Sequence, residues 1–109
     1  PAALAPYQCA ILPLTKKDGL PEIAKKIMKD LSLEFNCFYE EKDAIGKRYR
    51  RQDAIGTPLC ITVDHDSLTD NSVTLRFRDS MEQRRVTIAE LEHIISQEVS
   101  MKTLLKGLL

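Results

Sequence analysis

The sequence predicts an α/β domain in which helices cover both faces of a mixed sheet. Three observations carry this. Short apolar, β-branched runs recur along the chain, amphipathic helical stretches separate the first three of them, and the later runs are joined by tight connections. Gln8–Leu14 (QCAILPL) is nearly continuous in apolar residues, the pattern of a strand buried on both faces. A helix follows in DGLPEIAKKIMKDL. Pro21 suits its first turn, and Leu20, Ile23, Ala24, Ile27 and Leu31 fall on one face, with Lys25, Lys26 and Lys29 directed elsewhere. Cys37–Glu40 (CFYE) is a second short strand. Asp43 is expected to N-cap a second helix that runs to about Ile55, where Gly56 and Pro58 stop it.

Leu59–Asp64 (LCITVD) is the third strand and HDSLTDNS reads as a loop. In the fourth strand, Val73–Asp79, residues Val73, Leu75 and Phe77 share one face and Thr74, Arg76 and Arg78 the other. A tight connection at Ser80–Met81 leads to a fifth strand near Gln83–Val86. Thr87 and Glu90 then form a capping box for a last helix that turns Leu91, Ile94 and Ile95 inward, and a short, loosely tied helix is expected from Ser100. Right-handed crossovers make the first three strands parallel, and the tight turns make the fourth antiparallel. Ligands of such sheets bind beyond the carboxyl ends of the parallel strands. That edge carries Pro13–Lys16, Glu41–Gly46 and Asp64–Asp66.

At 109 residues the chain is expected to be a single domain, 1–109, with a core of about 5–97 and a tail of 98–109. Its 43% hydrophobic and 29% charged residues suit a globular core. Sixteen basic and sixteen acidic residues balance, so a nucleic-acid role would have to come from a local patch. No apolar run has the length of a membrane span, and no signal-peptide pattern is present. The chain opens at Pro1 without an initiator methionine, and a piece of a longer protein is expected. Cys9, Cys37 and Cys60 are far apart, odd in number and outside metal-binding pairs, and read as reduced, buried thiols of a cytoplasmic protein. His65 stands between Asp64 and Asp66, but no second histidine lies at ligand spacing, so no metal site is expected. The sequence has no nucleophile elbow, no glycine-rich phosphate loop and no convergent acid–base set. Arg76, Arg78, Arg84 and Arg85 suit ion pairs with Asp79, Glu82 and strand carboxylates at least as well as they suit a ligand.

The stretch AIGKRYRRQDAIGTP (44–58) places Lys47, Arg48, Arg50 and Arg51 around Tyr49. Periodicity turns Ile45, Tyr49, Gln52 and Ile55 toward the sheet, sets Lys47, Arg50, Arg51 and Ala54 opposite, and leaves Arg48 at the margin. On periodicity alone the cations read as a solvated face. Two local features point to a partner instead. A helix N-terminus attracts anions through its free N–H groups and dipole, and Gly46 admits close approach of another backbone. Lys47 and Arg48 in the first turn oppose that dipole, a cost that a bound anion offsets.

The stretches AILPL and IGKRYRRQDAIGTPLCITVDHDSLTDNSVTLRFRDSMEQRRVTIAEL closely resemble the C-terminal anticodon-binding domain of dimeric class II glycyl-tRNA synthetases, over about residues 5–97. The resemblance implies a three-layer α/β/α sandwich whose five-stranded sheet has the order 2-1-3-4-5, with strand 4 antiparallel. It implies the anticodon arm of glycine tRNA as partner, with cytosines as second and third anticodon bases. Glu41 and Asp43 then suit the cytosine amino group as acceptors, Lys47, Arg48, Arg50 and Arg51 suit phosphates or base carbonyls, and Gly46 lets the loop approach. Nothing in the chain resembles the catalytic motifs of that class, so no catalytic residue, metal or cofactor is expected in it. ATP with magnesium, and glycine, are expected on an upstream part of a homodimeric, cytoplasmic ligase, with this piece monomeric. The alternative is a non-catalytic module of the same fold, of the mitochondrial DNA polymerase accessory-subunit type.

Overall fold

The computed structural model describes residues 7–108, and their side chains as far as Met101. The elements in chain order are β1 (Cys9–Pro13), α1 (Leu20–Leu31), β2 (Cys37–Tyr39), α2 (Ile45–Ile55), β3 (Leu59–Val63), α3 (His65–Asp70), β4 (Ser72–Phe77) and β5 (Gln83–Thr87). A single 3₁₀ turn, Ile88–Glu90, then leads into α4 (Leu91–Leu108). The strands form one sheet in the order β2-β1-β3-β4-β5. β1 pairs in parallel with β2 and β3, and β4 runs antiparallel to both β3 and β5. This is the mixed 2-1-3-4-5 sheet that the resemblance implies, and the strand directions are those that the crossovers and tight turns predict.

Alternation along the strands divides the core in two. Cys9, Ile11, Leu59, Ile61, Val63, Val73, Leu75 and Phe77 face α1 and α4, whose Leu20, Ala24, Ile27, Leu31, Leu91 and Ile95 complete the larger cluster. Ala10, Leu12 and Cys60 face the other way, against Phe38, Ile45 and Tyr49. Central strands β1 and β3 are buried at all five positions, as an α/β sheet covered on both faces requires. Edge strand β5 buries only Val86.

Three local expectations differ from the structure. Residues 65–70 form a helical turn and a half, not a loop, because the Asp64 side chain and Ser67 close a capping box and Asn71 ends the helix in the left-handed region (φ 54°). The segment after Ser100 continues α4 to Leu108 instead of starting a separate helix. Asp43 is not the N-cap of α2. Ala44 holds that position in extended backbone, while Asp43 sits at φ 69°. The Thr87–Glu90 capping box is present, with the Glu90 N–H donating to Thr87 Oγ1 at 3.3 Å.

Candidate nucleic-acid interface

The carboxyl ends of β1, β2 and β3 open onto one edge of the sheet, and α2 begins there. Helix α2 has no side-chain cap and no acidic residue in its first turn, so its leading N–H groups stay available to an outside acceptor. Gly46 is exposed in this turn, and a Cβ built there meets no heavy atom within 4 Å. The glycine therefore leaves open space in front of the helix.

Arg48 departs most from the sequence reading. It is 1% exposed, among the largest fully buried side chains, and lies beneath α2. Its Nη1 donates to the Pro13 carbonyl at 2.7 Å and the Glu40 carbonyl at 3.0 Å, and its Nη2 to the Leu14 carbonyl at 3.1 Å. One guanidinium thus ties the end of β1 to the β2–α2 loop, at the place where these two chain segments would otherwise leave backbone carbonyls unsatisfied. Arg48 Nε is buried without a hydrogen-bond partner among the described residues. Burial pulls the guanidinium pKa down from its ordinary value, although an arginine remains charged. Its fixed position inside the domain withdraws Arg48 from the set of surface cations.

A second buried line runs beside it. Thr57 Oγ1 donates to Gln52 Oε1 at 2.7 Å, and Gln52 Nε2 donates to Glu40 Oε2 at 3.0 Å. Glu40, 7% exposed, also pairs with Arg51. Arg51 reaches Asp43 with its other nitrogen at 2.6 Å, so Asp43 and Glu40 share one guanidinium across the start of α2. This pairing, rather than helix capping, is where the Asp43 carboxylate goes. Neither Glu40 nor Thr57 stands out in the sequence. The consecutive Glu40–Glu41 pair is the available signal, since alternation at the end of a strand sends one inward and the other outward.

The remaining candidates face solvent. Glu41 is half-buried and accepts from the Tyr39 hydroxyl at 2.6 Å through Oε2, which leaves Oε1 without a partner among the described residues. Burial first, and the Glu41 carboxylate second, push the Tyr39 hydroxyl pKa up, so Tyr39 stays a donor. Lys47 and Arg50 are exposed, and neither makes an ion pair among the described residues. The structure therefore brings together two carboxylates (Glu41, Asp43), an open helix start (Gly46), two free cations (Lys47, Arg50) and one shared cation (Arg51), on a frame held by Arg48.

The strand arginines do structural work. Arg76 forms a two-point ion pair with Asp53 of α2 at 2.8 and 3.0 Å, and its guanidinium lies 4.9 Å from the Tyr49 ring centre. Arg85 Nη2 reaches Asp64 at 2.8 Å, and Arg78 pairs with its neighbour Asp79 at 3.2 Å. His65 makes a surface contact with Asp18 at 2.9 Å. Among the described residues no group of three or more His, Cys, Asp or Glu side chains could hold a metal ion, and no helix is long and apolar enough to cross a membrane.

With α1 and α4 on one face of the sheet and α2 on the other, the fold is a three-layer α/β/α domain. The RNA-binding domain of threonyl-tRNA synthetase from Cryptosporidium parvum superposes with a TM-score of 0.76 at 23% identity, over 84% of this chain and 23% of that one. Prolyl-tRNA synthetase from the same organism, complexed with halofuginone and AMPPNP, gives 0.79 at 24% identity, over 93% of this chain and 22% of that one. At these identities the likeness is one of fold. The chain belongs to the anticodon-binding domain family, which matches residues 8–98. Among curated proteins it is 54% identical to glycine–tRNA ligase of Borrelia hermsii over 96 residues, or 88% of this chain and 22% of the relative. It is 58% identical to glycine–tRNA ligase of Staphylococcus haemolyticus over 98 residues, or 90% of this chain and 21% of the relative. The chain thus spans about a fifth of the length of these relatives.

Proposed function

We propose that this domain binds the anticodon arm of glycine tRNA for a longer enzyme that joins glycine to tRNA at the expense of ATP. The observation that carries the reading is the identity of 54–58% with glycine–tRNA ligases over about nine-tenths of the chain. The geometry of the α2 edge supports it. Unstacked loop bases offer their edges to side-chain acceptors, and cytosine presents an exocyclic amino group as donor. Glu41 Oε1 and Asp43 are the acceptors at this edge. Lys47 and Arg50 are free to take phosphates, while Arg51 balances Asp43 against the buried Glu40. Arg48 acts from beneath as a positioning residue, holding the Glu40–Asp43 loop against the end of β1.

Among the described residues no acidic cluster converges that would fit magnesium, and the sequence contains no glycine-rich phosphate loop for ATP. The adenylating chemistry is therefore assigned to the rest of the longer enzyme, which we place in the cytoplasm as a homodimer assembled outside this domain. The test is binding of the chain to glycine tRNA and to the same tRNA with its second and third anticodon bases replaced. Tighter binding of the unaltered tRNA supports the reading, and equal binding of both at every salt concentration rejects it.

A further inference from the structure

Cys9 and Cys37 lie directly opposite one another in the parallel β1–β2 register, and their sulfur atoms are 3.1 Å apart. A disulfide spans Cα atoms about 4.4–6.8 Å apart with a bond of about 2.05 Å. Neighbouring strands run about 4.8 Å apart, inside that span. Side-chain rotation of about 1 Å therefore brings the two sulfurs to bonding distance, with no movement of either strand.

The two thiols are unequal in access. Cys9 is fully buried in the larger core cluster, whereas Cys37 is half-buried on β2, an edge strand of the sheet. Hydrogen bonding from Cys9 lowers the Cys37 thiol pKa, with burial opposing and Ser32 adding to it, while the Cys9 thiol is held protonated by its contact with Cys37 and by burial. As a thiol, Cys37 donates to the Phe35 carbonyl at 3.6 Å. This is the arrangement of an attacking sulfur with a resolving one behind it. Cys60 takes no part. It faces α2 from the opposite side of the sheet, and burial pushes its thiol up to about 12.

We propose that Cys9 and Cys37 are a redox-active dithiol that a hydroperoxide closes to a disulfide. The Cys37 thiolate attacks the terminal peroxide oxygen, the O–O bond breaks, and the other oxygen leaves with a proton as alcohol or water. The Cys37 sulfenic acid so formed is attacked by the Cys9 sulfur. The S–O bond then breaks, and its hydroxide leaves as water with the Cys9 proton. Two thiols lose two electrons and two hydrogens in all, and one peroxide is reduced. The bridge fixes the amino end of β2, whose carboxyl end feeds Glu40, Glu41 and Asp43.

The test treats the reduced, folded chain with hydrogen peroxide and follows intact mass, free thiols and cysteine-containing peptides. The expected product is a monomer lighter by two hydrogens, with one titratable thiol remaining of the three and a peptide pair joining Cys9 to Cys37. The C60S chain is expected to form the same link. Persistence of all three thiols, uptake of oxygen at Cys37 without a link, or a link through Cys60 or between chains would each overturn the proposal.

Discussion

Arg48 Nη1 lies 2.7 Å from the Pro13 carbonyl oxygen, a contact between residues 35 positions apart that fastens α2 to the end of β1. The same guanidinium holds Glu40 and Leu14, so one side chain from the basic cluster satisfies three carbonyls of two segments. Arg48→Ala is expected to leave two buried acceptors, on Pro13 and Glu40, and one part-buried acceptor, on Leu14, unpaired. At about 1–3 kcal/mol per such group, with partial rescue by water, a loss of about 3 kcal/mol is predicted from urea unfolding. Arg48→Lys recovers only part of this, because an ammonium lacks the planar fork. A loss below about 0.5 kcal/mol would show that the frame does not depend on Arg48.

Arg76 and Arg78, equivalent on the sequence pattern, are predicted to separate. Arg76 is 9% exposed at its side chain and bound at two points to Asp53, so Arg76→Ala leaves a half-buried carboxylate alone and costs about 2 kcal/mol. Arg78 is largely exposed and its ion pair contributes about 0.5 kcal/mol or less. Thermal unfolding of the two variants, read alongside tRNA binding, checks this. Equal stabilities, or a loss of binding with no loss of stability at Arg76, would contradict the assignment.

Gly46 offers a test in which stability and binding move in opposite directions. Its position is helical and the space beyond it is open, so Gly46→Ala removes backbone entropy from the unfolded chain without a clash. A gain of about 0.5–1 kcal/mol in stability is expected. On the proposed reading the added methyl stands in the path of the RNA, so tRNA affinity is expected to fall. A stabilised variant that binds with undiminished affinity would move the interface away from the start of α2.

Acid unfolding reports on the Asp64–Arg85 pair. Hydrogen bonding from Arg85 holds the Asp64 carboxyl below its ordinary value, and burial opposes this only in part. The unfolded chain lacks that partner, so the pair's stabilisation is present above the ordinary aspartate pKa. It is lost as pH falls through the folded value. Arg85→Gln is therefore expected to be less stable at neutral pH, and to lose less further stability between about pH 5 and pH 2. Parallel pH profiles for the two chains would contradict the coupling.

Much of the fold was legible because it rests on pattern. Leu20, Ala24, Ile27 and Leu31 mark the inner face of α1 by period alone, and Gly56 and Pro58 end α2 where expected. The site was only partly legible. At about 100° per residue, Arg48 falls between Gln52 and Ile55 on the helical wheel, an inward position. The marginal position assigned to it from the sequence misreads that wheel, and the converging carbonyls of Pro13, Leu14 and Glu40 explain how a guanidinium is satisfied inside. Ile55, assigned inward, is exposed because α2 is ending there. Asp43 is not the cap its sequence context fits, because the competing ion pair forms with Arg51, eight positions later. Cys9 and Cys37 are 28 positions apart, and their contact is not legible in the sequence for a related reason: strand register is a property of the assembled sheet.

The central claim is that the carboxylates at the start of α2 read the anticodon while the free cations hold its backbone. Binding of glycine tRNA and an anticodon-altered tRNA, measured across a salt series with Glu41→Ala, Asp43→Ala and Lys47→Ala variants, tests it most directly. Glu41→Ala or Asp43→Ala is predicted to narrow the preference for glycine tRNA by about 1–3 kcal/mol. Lys47→Ala is predicted to weaken both tRNAs alike and to lower the salt dependence by about one contact. An unchanged preference in both carboxylate variants, with an unchanged salt slope in the lysine variant, would contradict the account and leave the cationic cluster a solvated face.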